Sequence, residues 1–137
     1  MPFRLCIPRE HYDAMLAQAQ AELPNECCGL LAGRIDERKV GRVLARYPLV
    51  NAAASPREYL GDDRMLFAAH KDMRNRGFEL LAIYHSHPSS DPVPSKTDLA
   101  RNYFPDVMHL IISLKGNEPL MRGWWLGESE YGEAEWA

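Results

Sequence analysis

The stretch LLAIYHSHPSSDPVPSKTD, residues 80–98, decides how the rest of the chain is read. Its first five residues, Leu80 to Tyr84, form a continuous apolar run suited to a central β-strand. If that strand continues, His85 and His87 project from the same face, because side chains two apart share one side of a sheet. Two imidazoles can then converge on one metal ion. Pro94 precedes Ser95-Lys96-Thr97-Asp98, where Ser95 can cap a new helix and Asp98 falls in its first turn. A carboxylate is thereby fixed near the end of the strand. Two neutral imidazoles and one carboxylate make a three-ligand set that suits catalytic zinc and leaves the fourth tetrahedral position for water. Taken alone, Ser95 and Asp98 are a helix-capping pair and His-x-His is a weak signal. The two roles are compatible, since a cap can position the carboxylate.

Upstream, Pro8 opens a segment in which Tyr12, Met15, Leu16, Ala19 and Leu23 share one helical face, and Pro24 closes it. Cys27 to Ala32 reads as a short buried strand, and Val40 to Tyr47, interrupted by Arg42 and Arg46, as a half-exposed one; Gly33 to Lys39 is the turn between them. Asn51 to Gly61 is a loop. Asp62 and Asp63 begin a second helix carrying Met65, Leu66, Ala69 and Met73, which ends at Gly77. Downstream, Leu110 to Leu114 is another central strand, and after the Gly116-Asn117 turn Leu120 to Leu126 returns as its neighbour. No fixed-period repeat or low-complexity tract interrupts this order. Strands interleaved with helices predict an α/β fold, a mixed sheet flanked by helices. The expected organisation is one domain over residues 1–126 and an acidic tail, Gly127 to Ala137, that frays.

With 137 residues, 46% of them apolar, the chain can bury a core without disulfide staples. A formal charge of -3 offers no basic face for nucleic acid or anionic lipid. The opening MPFRLCIPRE has no sustained apolar region, and no run reaches the about 18 apolar residues of a membrane span. Three cysteines form no disulfide framework and read as reduced thiols, so a cytoplasmic protein is expected. Cys27 and Cys28 are strand neighbours facing opposite sides, hence packing residues rather than joint ligands. His11, His70 and His109 have no partner at ligand spacing. His70 is expected half-exposed on the second helix, and His109 hydrogen-bonded behind the site. Trp124 and Trp125 are expected to divide between core and surface.

A water on a catalytic metal must lose a proton, and a carboxylate outside the ligand set usually takes it. Glu26, immediately before Cys27-Cys28-Gly29-Leu30-Leu31, is the candidate, against the alternative of a solvated loop charge. The combination resembles the JAMM, or MPN+, metalloprotease family, and specifically its short bacterial members. The family pattern of a glutamate ahead of the first strand, then H-x-H-P, then S-x2-D is matched by Glu26, by His85-Ser86-His87-Pro88 and by Ser95-Lys96-Thr97-Asp98. The resemblance also takes in Asn25 to Leu31 and Asn51 to Leu114, within a span of about two-thirds of the chain. It implies a JAMM/MPN-like single domain, one zinc held by His85, His87 and Asp98, water activation by Glu26 and oxyanion stabilisation by Ser95. It further implies a peptidase or isopeptidase acting after the Gly-Gly tail of a ubiquitin-like sulfur-carrier protein, for example releasing cysteine from a carrier adduct. Two rivals stand beside this reading. A non-catalytic MPN-type scaffold would share the fold but lack ligands. A zinc nucleoside deaminase would need H-x-E and P-C-x-x-C, which do not occur.

Overall fold

The apolar run at Leu80 is the core of strand β4 (Glu79–His87) in the computed structural model, which describes residues 3–102, 104 and 106–137. The strand continues through both histidines, and Leu81 to His87 are all buried. Burial on both faces is what a continuous apolar run in a central strand requires. On one side β4 pairs antiparallel with β2 (Cys28–Ile35), and on the other parallel with β5 (Met108–Ser113). Beyond β2 lies β3 (Val40–Leu49), and beyond β5 lies β6 (Leu120–Leu126), both antiparallel to their neighbours. Together with β1 (Arg4–Cys6) and β7 (Tyr131–Ala134), they form one mixed sheet in the order β1-β3-β2-β4-β5-β6-β7.

Two helices cover opposite faces of this sheet, completing the α/β arrangement expected. Helix α1 (Arg9–Ala21) follows Pro8 and packs Met15 and Ala19 with Leu31, Val43, Leu81 and Ile112. Helix α2 (Asp63–Arg76) begins where the Asp62 carboxylate accepts the Met65 N–H at 3.0 Å. It ends at Gly77, whose φ of 71° lies in the left-handed region open to glycine. Its Ala69 and Met73 pack with Leu30, Leu49 and Ile83 on the other face. Cys27 belongs to the first cluster and Cys28 to the second, as neighbours on a strand should. Burying a Leu or Ile side chain is worth about 1.5–3 kcal/mol, and a one-residue slip of β4 would move every such side chain to the wrong face. The register is held by Ala82 and Tyr84 in the first cluster and Ile83 in the second, while Leu81 falls where the pairing with β2 shifts. Helix α3 (Lys96–Ala100) lies in the crossover from β4 to β5.

Several expectations are corrected. The three-residue β1 was not anticipated, being too short to show a period, and β2 and β3 run on to Ile35 and Leu49. The stretch Gly127 to Ala137 does not fray. Its strand β7 pairs with β6, Ala134 is buried, and Trp136 stacks on Tyr12 at 5.7 Å. Past β7 the backbone runs beside β1: Leu5 N–H donates to the Glu135 carbonyl at 3.1 Å and Ala137 N–H to the Leu5 carbonyl at 2.9 Å. The two ends of the sheet meet, and the sheet closes on itself. Glu133 and Glu135 point outward between the sheltered Ala134 and Trp136, so an acidic composition conceals a strand alternation. Trp124 is buried and Trp125 half-buried edge-on to Phe3, so both tryptophans are largely inside. Among the described residues no helix is long and apolar enough to cross a membrane.

Candidate metal centre

The end of β4 and the start of α3 bring three side chains to a point. The Nε2 atoms of His85 and His87 stand 3.2 Å apart. Asp98 completes the triangle, with Oδ1 3.2 Å from His85 Nε2 and Oδ2 3.1 Å from His87 Nε2. Its aim is set by the cap read in the sequence: Ser95 Oγ accepts the Asp98 N–H at 3.0 Å, and Ser95 N–H donates to Asp98 Oδ2 at 2.9 Å. Capping and convergence are thus one device. All three side chains are buried.

These residues fit a divalent metal on their own chemistry. His87 Nδ1 lies 2.8 Å from the Asp91 carbonyl, which can only accept, so Nδ1 carries the hydrogen and in the neutral ring Nε2 is a bare lone pair. That lone pair faces a carboxylate oxygen and a second imidazole nitrogen, an assembly that calls for a cation at its centre. A tetrahedron with metal–ligand bonds of about 2.0–2.1 Å has edges of about 3.3 Å, close to the separations found. The charges agree. Burial alone would raise the Asp98 carboxyl, but the His85 and His87 imidazoles outweigh it and hold Asp98 well below the usual carboxylate range. Burial alone would lower the His87 pKa, but the Asp98 carboxylate and Asp91 carbonyl outweigh it and raise it. The Asp98 shift keeps an anion in the triangle and the His87 shift reflects that anion beside it, so His85, His87 and Asp98 could together hold a metal ion.

Glu26 stands just before β2, and it is no solvated loop charge: it is 3% exposed, and among the described residues its Oε1 has no hydrogen-bond partner. Burial pushes its pKa up to about 8, opposed by the charge of His87 and reinforced by Asp98 and Glu58. A buried carboxyl beside the His85, His87 and Asp98 triangle is placed where a proton could be exchanged with a group held there.

Other parts of the site carry little signal in the sequence. Tyr59 lies flat against the His85 ring, centroids 4.5 Å apart, and only its bulk in a loop of small residues marks it. The Asp91 group that orients His87 is a backbone carbonyl, invisible in residue identity. Its loop is pinned by Trp124 Nε1–H donating to the Pro92 carbonyl at 2.8 Å and Ser113 Oγ donating to the Ser90 carbonyl at 2.6 Å. His70 is half-buried on α2, as expected. His109 is buried and, as expected, hydrogen-bonded, to the Phe104 backbone, while its Nε2 has no partner among the described residues. Burial and the charge of His85 push its pKa down to about 4, so the ring is neutral. Burial pushes the Cys27 and Cys28 thiols up to about 12, which keeps them protonated packing groups.

Comparison with known proteins bears on this geometry. Residues 8–127 match a family model described as prokaryotic homologs of the JAB domain. A desampylase of Haloferax volcanii is 37% identical over 118 residues, covering 82% of this chain and 83% of its own. A CysO-cysteine peptidase of Mycobacterium tuberculosis is 31% identical over 111 residues, covering 81% and 74%. Among solved structures, a protein of Desulfitobacterium hafniense determined in solution superimposes with a TM-score of 0.87 at 35% identity, over 97% of this chain and 91% of that one.

Proposed function

The chain belongs to the family of prokaryotic homologs of the JAB domain, and from that premise we propose that it is a cytoplasmic zinc peptidase. Its reaction is hydrolysis of the bond after the C-terminal Gly-Gly tail of a ubiquitin-like sulfur-carrier protein, release of cysteine from a carrier adduct being one instance. The observation that carries this reading is the buried Glu26 carboxyl, its Oε1 without a hydrogen-bond partner among the described residues, beside the triangle of His85, His87 and Asp98. A zinc ion held by those three would supply a Lewis acid that acidifies water and polarises the scissile carbonyl.

The protein's own groups do the rest. Glu26 takes the proton of the attacking water and returns it to the leaving amine, tasks for which a pKa raised by burial is suited. Ser95 Oγ already accepts the Asp98 N–H, so its hydroxyl hydrogen is free to donate to the oxyanion, a contribution worth about 3 kcal/mol per donor in other enzymes. Asp91 holds His87 in the tautomer that presents Nε2, and Tyr59 shields the His85 ring. A centre this confined favours a substrate whose backbone comes close without side chains, as a Gly-Gly tail does. The name of the mycobacterial relative, a CysO-cysteine peptidase, supports the cysteine-releasing instance. A non-catalytic scaffold would have no use for a buried carboxyl whose Oε1 lacks a partner among the described residues, a group costly to bury.

The test incubates the purified protein with a sulfur-carrier protein bearing cysteine on its Gly-Gly terminus, with and without chelator, and reads product masses. Carrier and free cysteine should appear only without chelator; an adduct intact in both arms removes the peptidase reading. Elemental analysis should find one zinc per chain and its loss in His85→Ala, His87→Ala and Asp98→Ala. Full zinc occupancy in all three variants would remove them from the ligand set.

A further inference from the structure

With no partner for Oε1 among the described residues, the aim of the Glu26 carboxylate is set largely by its backbone. That backbone is clamped on three sides. Glu26 N–H donates to the Ser55 carbonyl at 2.9 Å, the Glu26 carbonyl accepts from Asn51 Nδ2 at 3.0 Å, and the next N–H, of Cys27, donates to Ser86 Oγ at 2.8 Å. Ser86 lies between the two histidines of β4, so the third clamp ties Glu26 to the strand that carries them.

Asn51 is the side chain that joins this clamp to the neighbouring loop. It is 7% exposed and uses its full hydrogen-bonding capacity. Its Oδ1 accepts from Ala53 N–H at 3.0 Å and Leu60 N–H at 2.9 Å, which folds loop 51–61 around it. Its Nδ2 donates in two directions, to the Glu58 carbonyl and the Glu26 carbonyl, each at 3.0 Å. The acceptor half of the amide shapes the loop, and the donor half ties that loop to the base. The same loop carries Tyr59, which lies against His85.

We propose that Asn51 is a positioning residue for the hydrolytic reaction: through its amide donors it holds Glu26 at the metal cage and makes the placement of the base depend on loop 51–61. The inference rests on the peptidase reading above. A misplacement of about 1 Å in a reacting group can cost about 100-fold in rate, so a clamp on the backbone that aims this carboxyl has a large effect.

Asn51→Asp isolates the donors, because it keeps an oxygen for the Ala53 and Leu60 N–H groups and removes the NH2. The zinc-loaded protein is assayed on a peptide ending in Gly-Gly and joined through an amide to a fluorogenic aminocoumarin. The expected result is a kcat about 10–100-fold lower, with KM and zinc content near those of the wild type. In a Glu26→Gln background the same substitution should cost nothing further, since its target is already disabled. Wild-type kcat in folded Asn51→Asp, or an equal loss in both backgrounds, overturns the role and leaves Asn51 a loop former only. A wild type that leaves the probe intact overturns the peptidase reading and this role with it. If Asn51→Asp does not fold, Asn51→Ser, which also removes the amide donors to the Glu26 and Glu58 carbonyls, decides the matter by the same two comparisons.

Discussion

Glu26 and His85 are both buried among polar neighbours, yet they leave very different traces in the sequence. The histidines were legible because period-two alternation alone puts His85 and His87 on one face of a strand, and a capping pattern alone puts Asp98 in a first helical turn. Glu26 has no such periodicity; its place just before a buried strand made it a candidate, the match to a family pattern strengthened it, and burial in the folded chain gives it its raised pKa. Asn51, Tyr59 and the Asp91 carbonyl were not legible as site components, because they act through loop geometry and backbone atoms. In the proposed reaction, ligation and proton transfer fall to different residues. Glu26→Gln should retain full zinc and lose about 100-fold or more in kcat, since an amide cannot accept the proton of the water. Ser95→Ala should be the milder change. Zinc content and single-turnover rates on one preparation check both, and wild-type turnover in Glu26→Gln would return that residue to an ordinary buried charge.

Strand β4 carries two of the three converging side chains, and β5, paired beside it, carries the buried His109. Its pKa in the fold is about 4, against 6.5 for an unperturbed imidazole. Between those values the unfolded chain holds a proton on His109 that the folded chain does not. The stability this group contributes is therefore complete above about pH 6.5 and is lost as pH falls toward 4, by up to about 3 kcal/mol. His109→Leu should flatten that part of the acid limb, which urea unfolding at pH 7 and at pH 4.5 measures directly. Equal pH dependence in variant and wild type would show that His109 is not desolvated. The sequence located β4, α2 and β6 because each has an apolar pattern long enough to carry a period. It did not locate β1, and it gave β7 the appearance of a tail, because short strands whose outward residues are charged resemble solvated loops.

At the scale of the molecule, closure of the sheet replaces a free edge with paired backbone. Trp136 is its main apolar anchor, stacked on Tyr12 and half-buried against the α1 side of the core. Trp136→Ala should cost about 2 kcal/mol, less than the about 3–5 kcal/mol of a fully buried tryptophan, without altering zinc content. An unchanged urea midpoint would mean that the closure is energetically idle. Closure also has a consequence in time. Leu5 and Glu135 are separated by nearly the whole described chain, so their pairing bears a large loop-closure entropy and is rewarded only after the strands between them are in place. Folding should pass through a transition state in which β4 and β5 are already joined while the seam between β1 and residues 135–137 is still open. A stopped-flow chevron should then show Trp136→Ala speeding unfolding and leaving the refolding limb almost unmoved, making the seam the last part of the molecule to form and the first to let go.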